Sequence, residues 1–241
     1  MTMVRFARLL GAAVAIAAAA PSAAVVYTAT FTGTFAGAAD LAGLFGPPGS
    51  DISGQAFTAT YRVDTGTPGI VDFTAQRTRQ LYSGEYYYGG LPTAMTATLA
   101  SNGHGVALTG NYKGQIVQEN DLTSVSRVGN GDVVLYLLDD YDHANRYFSL
   151  SFSIAAAGFD DILPTEDFSA PGHYVFRPGT YMDNRFSFYD GGNLAYGSLR
   201  ATDLVVRAGV PEPAAWSLMI AGFGLVGVLR RRRPALREVA A

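Results

Sequence analysis

Cysteine is absent from the 241-residue chain, and lysine occurs once, as Lys113. The first absence excludes a disulfide framework, a thiolate metal site and a cysteine nucleophile. The second makes nearly all positive charge arginine. Charged residues make up only 15% of the chain, and tryptophan occurs once, as Trp216. Three histidines, His104, His143 and His173, lie far apart with no metal-ligand spacing. No Gly-x-Ser-x-Gly elbow, phosphate-binding glycine loop or His-Glu-x-x-His is present, so the common hydrolase and nucleotide signatures are missing.

What is present is apolar and turn-rich. Hydrophobic residues reach 49%, with Gly 28, Tyr 14 and Phe 14, a composition that favours strands and tight turns. The net charge of -3 is unevenly spread. Removing the seven terminal arginines from the 17 basic residues, and Glu212 and Glu238 from the 20 acidic ones, leaves 10 against 18 over residues 25–209. That stretch is near -8, which argues against nucleic acid as a partner because phosphates need a basic face.

Both ends read as targeting segments. Residues 1–24 have the order of a secretory signal peptide: Arg5 and Arg8, then the apolar and small run Leu9 to Ala20, then Pro21 and Ser22-Ala23-Ala24. Cleavage by signal peptidase is expected after Ala24. Near the other end, Ala214 to Leu229 carries no charge. As a helix it would be about 24 Å long, at the short end for a single transmembrane span. Arg230, Arg231, Arg232 and Arg233 follow at once and would stop transfer on the cytoplasmic side, leaving 234–241 as a cytoplasmic tail. Two prolines flanking Glu212 hold the preceding segment extended, and Trp216 stands where an interfacial aromatic would anchor a membrane helix.

Val210-Pro211-Glu212-Pro213-Ala214-Ala215-Trp216, then Met219 to Gly224, then the arginine block, resembles a PEP-CTERM protein-sorting domain, more narrowly its Pro-Glu-Pro-x-x-Trp-Ala subtype. Ser217 departs from the subtype's usual alanine. The resemblance covers about residues 210–233. It implies a Gram-negative host that makes extracellular polysaccharide, and recognition by exosortase, a membrane-embedded cysteine transpeptidase acting near Pro211, Glu212 and Pro213. It also implies an inner-membrane-anchored precursor facing the periplasm, destined for the cell surface or the extracellular matrix.

Between the ends, residues 25–209 alternate with a period of two. Tyr27, Ala29, Phe31 and Phe35 interleave with Thr28, Thr30, Thr32 and Thr34. Residues 57–63, 95–99 and 148–154 repeat the pattern, and further strands are expected at 105–109, 113–118, 122–128, 132–138, 173–177, 184–189 and 194–207. Turn signals separate them at Gly46-Pro47-Pro48-Gly49, Asp64-Thr65-Gly66, Asn102-Gly103, Asn130-Gly131 and Asp190-Gly191-Gly192-Asn193, the last joining a hairpin. The expected fold is all-β, an antiparallel β-sandwich of jelly-roll-like form, with a closed barrel as the second possibility. The order of elements from Phe31 to Pro68 is similar to the sandwich domain often found ahead of PEP-CTERM tails.

Three chemical possibilities arise from the middle domain. Asp64-Thr65-Gly66-Thr67 after a strand is how aspartic proteases present a carboxylate, though the motif occurs once and equally suits a β-turn. Asp139, Asp140 and Asp142 with Asn145, and Asp160, Asp161, Glu166 and Asp167, are acidic clusters of the kind Ca²⁺ uses, without the spacing of a calcium loop. Tyr86-Tyr87-Tyr88 must expose at least one ring, which suits stacking on a sugar. The reading favoured by sequence is an exported envelope or matrix protein, not an enzyme and with no cofactor, with extracellular polysaccharide as a possible partner. A carbohydrate- or calcium-binding module and an aspartic hydrolase are the alternatives.

Overall fold

The computed structural model describes residues 26–75, 77–84, 90–110, 112–125, 129–140, 146–157 and 162–209. The signal segment, the Tyr86 to Tyr88 run and everything from Val210 onward lie outside the described residues. The chain divides into two units between Gly209 and Val210, and the described residues belong to the first.

Fourteen strands carry the described chain: β1 (Val26–Asp40), β2 (Ser50–Asp51), β3 (Ala56–Asp64), β4 (Val71–Ala75), β5 (Thr78–Ser83), β6 (Met95–Ser101) and β7 (His104–Leu108) come first. They are followed by β8 (Lys113–Val125), β9 (Gly129–Asp140), β10 (Arg146–Ala157), β11 (Gly172–Val175), β12 (Tyr181–Met182), β13 (Arg185–Asp190) and β14 (Asn193–Ala208). Every pairing is antiparallel, and the described residues contain no helix. The expected period of two is what the strands obey. Along β3, Phe57, Ala59, Tyr61 and Val63 are buried, and Thr58 and Arg62 between them are exposed.

The sandwich expectation needs correction in one respect. The strands form one hydrogen-bonded sheet in the order β4-β5-β8-β9-β10-β13-β14-β1-β3-β6-β7, not two separate sheets. That sheet curls into a half-barrel. On a flat sheet β1 and β10, three strands apart, would stand roughly 14 Å from each other. Yet Phe31 of β1 stacks on Phe152 of β10 with ring centroids 4.1 Å apart and planes 6° from parallel. Tyr61 of β3 and Tyr136 of β9, five strands apart, meet at 5.4 Å. The curl also brings β6 against β8: a Cβ on Gly114 would lie 2.7 Å from the Met95 Sδ.

Long, bent strands explain why one sheet suffices. β1 and β14 pair along almost their whole length, with register shifts between Thr32 and Gly33 and between Phe35 and Ala38. Such irregularities bend a strand and increase its twist. Glycine is required at the bends, since a Cβ at Gly33 would run into the Arg200 carbonyl and one at Gly197 into Ala38. A sheet that bends at these points supplies both walls of its own core.

The core is aromatic. Tyr27, Phe31, Phe35, Phe45, Tyr61, Tyr136, Phe152, Phe168, Phe186 and Phe188 are all buried within it, many in the tilted or edge-to-face contacts such rings prefer. Two buried carboxylates hold loops over its ends. Asp40 accepts backbone N–H bonds from Gly43 and Leu44 on Oδ1 and from Phe45 and Gly46 on Oδ2, all at 2.7–2.9 Å. Asp132 accepts from Asp121 on one oxygen and from Ile162 and Leu163 on the other. Each thereby converts a run of backbone donors, costly to bury unpaired, into a fixed loop.

Three turn expectations divide. The Asp190 to Asn193 hairpin joins β13 to β14 as expected, and Asn102-Gly103 joins β6 to β7. Asn130-Gly131, expected as a turn, instead lies inside β9, with Gly131 opposite Leu122 next to a register shift. The glycine there serves a bulge, not a reversal.

Candidate functional site

The last residue of the described domain is also where the sorting segment begins. Strand β14 ends at Ala208, opposite Tyr27, and the Gly209 N–H then donates to the Val26 carbonyl. Approach here is close enough that a Cβ on Gly209 would sit 2.5 Å from that oxygen. Only Gly209 and Val210 separate the ladder from Pro211. The strand that leads to the motif is held from both sides, by β1 over most of its length and by β13 and β11 on the other side. A load or a cut applied after Gly209 therefore meets a strand locked into the centre of the sheet.

Pro211, Glu212, Pro213, Trp216 and Arg230 to Arg233, with Ala24 at the other end, fall outside the described residues. So do Asp142 and Asn145 of the first acidic cluster, Asp160 and Asp161 of the second, and His143. Asp139 and Asp140 are strand residues at the end of β9, opposite Ser149 and Phe148. Among the described residues no three histidine, aspartate or glutamate side chains converge on a point.

Asp64 closes β3 at a tight turn. Its Oδ1 accepts the Gly66 N–H at 2.9 Å and its carbonyl accepts that of Thr67. Among the described residues no second carboxylate hydrogen-bonds it. This is the turn role that Asp-x-Gly commonly fills, in which the carboxylate caps the backbone. His104 opens β7 on an exposed hairpin, and His173 of β11 pairs with Asp203 of β14 at 2.9 Å. Hydrogen bonds from Thr202 and His173 hold the Asp203 carboxyl below its ordinary range.

Asp167, expected only as one of an acidic group, joins the most developed charge cluster among the described residues. Arg79 of β5 makes a two-pronged pair with Asp72 of β4, with its Nε at 3.1 Å and Nη2 at 2.8 Å, and its other Nη1 meets Asp167. The guanidinium lies 4.2 Å from the centre of the Phe168 ring. Although burial works to raise it, the Asp167 carboxyl is held below the usual range by Ser169, through its hydroxyl and N–H, and by Arg79. Each guanidinium nitrogen of Arg79 donates to a carboxylate within the fold, and the cluster pins the β4–β5 hairpin to the loop 162–171.

Comparison with known proteins isolates the tail. Residues 209–233 match the PEP-CTERM protein-sorting motif. No curated protein and no solved structure matches the chain. The chain thus carries a PEP-CTERM sorting domain, the mark of an exported protein directed to exosortase and to the cell surface or extracellular space.

Proposed function

We propose that this protein is a non-enzymatic component of the cell envelope or extracellular matrix. A signal peptide ending at Ala24 exports it. The span 214–229 holds the precursor in the inner membrane with Arg230 to Arg233 on the cytoplasmic side, and exosortase processes it near Pro211 to Pro213. The observation that carries the proposal is the motif at 209–233, with the Pro-Glu-Pro element, the uncharged stretch and the arginine block in the required order. The rigidity of a proline-flanked glutamate supports a protease-accessible stretch between a folded domain and a bilayer. The turn role of Asp64 and the self-satisfied Arg79 cluster support a domain whose work is not catalytic.

The test is a pair of variants, Pro211→Ala with Pro213→Ala, and Glu212→Gln, expressed in a host that encodes an exosortase. The released form is expected to disappear and the full-length form to accumulate in the membrane fraction. Unaltered release from both variants would overturn the assignment of the processing site.

A further inference from the structure

The domain between the targeting segments is strongly acidic, yet three of its ten basic residues line one cleft. Arg177 follows β11, Arg185 opens β13 and Arg200 lies on β14, and all three border a cavity of about 720 Å³. One carboxylate, Asp183, shares the cleft and pairs with Arg185 through Oδ1 and Nε at 2.7 Å. The lining therefore carries an excess of two positive charges, on a domain whose balance is near -8. Arg200 is exposed, and its guanidinium has no partner among the described residues. Solubility does not require such a local reversal of sign; a recessed cationic site concentrates anions.

The floor of the cleft is rigid. Asn184 is buried, its Oδ1 accepting the Ser153 N–H at 2.9 Å and its Nδ2 donating to the Leu199 carbonyl at 3.3 Å. The Leu199 N–H returns a bond to the Asn184 carbonyl, and the Phe176 N–H donates to the Thr202 carbonyl. The rim turn closes with the Thr180 N–H on the Arg177 carbonyl. Guanidinium groups thus stand on a framework whose backbone is bonded to β10 and β14. Ser198 and Thr202 add hydroxyls along the same lining.

We infer that this cleft binds an anionic saccharide chain, with carboxylate-bearing sugar rings held by Arg177 and Arg200. The planar guanidinium matches a carboxylate with two parallel hydrogen bonds. The Ser198 and Thr202 hydroxyls suit the hydroxyl-bearing edges of sugar rings. The volume lies within the range of small-ligand clefts, enough for a few rings and too little for a helix of a partner protein. This assignment goes beyond the sorting of the tail and stands without it.

The experiment measures binding of the full-length protein, in a non-ionic detergent, to three probes: polygalacturonate, neutral dextran and a single-stranded oligonucleotide. Polygalacturonate is expected to bind, more weakly as salt is raised, and dextran not to bind. The double variant Arg177→Ala with Arg200→Ala is expected to weaken binding by roughly tenfold or more, since it removes both forks. Arg200→Gln alone should give a smaller loss in the same direction, and its exposed position leaves the unfolding midpoint unchanged. No polygalacturonate binding at low salt, equal binding of dextran, tighter binding of the oligonucleotide, or affinity indifferent to these variants would each overturn the inference.

Discussion

Replacing Asp40 by alanine is expected to destabilise the domain by about 4 kcal/mol, the scale seen when a buried charged acceptor is removed from several donors. Asp40 is fully buried at the end of β1, and both oxygens accept two backbone N–H bonds each. Removing the carboxylate leaves four donors of the 43–46 segment without their acceptor, and that of Phe45 is buried. The consequence spreads because that segment delivers Phe45. Its ring is buried against Phe35 at 5.6 Å and Phe186 at 5.9 Å, closing one end of the aromatic core. Asp40→Asn should fall between wild type and alanine, since one oxygen still accepts while the amide nitrogen confronts the other two donors. Denaturant unfolding checks this through the shift in midpoint at constant slope. A shift of less than about 1 kcal/mol for alanine would mean the loop does not depend on the carboxylate.

A second large effect is set by pH. Tyr27, Tyr61 and Tyr136 are fully buried, and burial pushes the phenol of each well above its ordinary range. A group whose folded pKa is raised contributes stability that is intact below the unfolded value and is lost as pH climbs through the folded one. The unfolded phenol titrates near 10. The domain should therefore be insensitive to these groups at neutral pH and lose stability steeply from about pH 10 upward, with three groups acting in the same direction. Tyrosinate absorbance and far-ultraviolet circular dichroism, followed together, provide the check. The three buried phenols should ionise only as the sheet signal collapses. A smooth titration of every tyrosine with the sheet intact would contradict the burial. Substitution separates two of the rings. Tyr61 donates to the Leu150 carbonyl at 2.9 Å, so Tyr61→Phe should cost about 1 kcal/mol. The Tyr27 hydroxyl is buried beside that of Tyr136 without reaching hydrogen-bond geometry, so Tyr27→Phe should cost well under about 1 kcal/mol or be neutral.

The strands with a strict apolar–threonine or apolar–serine alternation were legible because one face enters the core and the other does not. β1, β3, β6 and β10 all announce themselves in this way. The β4–β5 hairpin did not. Phe73 of β4 is half exposed, Leu81 is the one core-facing apolar side chain of β5, and an edge hairpin of this kind has no period to read. The closure of one sheet into a half-barrel was also hidden. It depends on bulges at Gly33 and around Ala38, and a glycine at a bulge looks in sequence like a glycine at a turn, as Asn130-Gly131 shows.

Functional features divided along the same line. The sorting tail was readable because its parts are contiguous and ordered along the chain. The arginine cleft was not, since Arg177, Arg185 and Arg200 come from three elements and carry no spacing signature. A weak signal did exist: ten basic residues in an acidic domain, three of them within residues 177–200. Charge sign mismatched to its surroundings is the clue that could have pointed there. Asp64 is a different case: its short motif admitted both a turn and a catalytic carboxylate in sequence, and in the fold the carboxylate caps its own turn.

The proposed function is that of an exported chain held by its tail and then cut from it shortly after β14. The measurement that tests this most directly is the intact mass of the protein from its native host, taken separately from membrane and released fractions. A released species starting near Val25 and ending between Pro211 and Pro213, with or without an added group, is the predicted result. A protein found only in the membrane and still carrying Arg230 to Arg233 would contradict it.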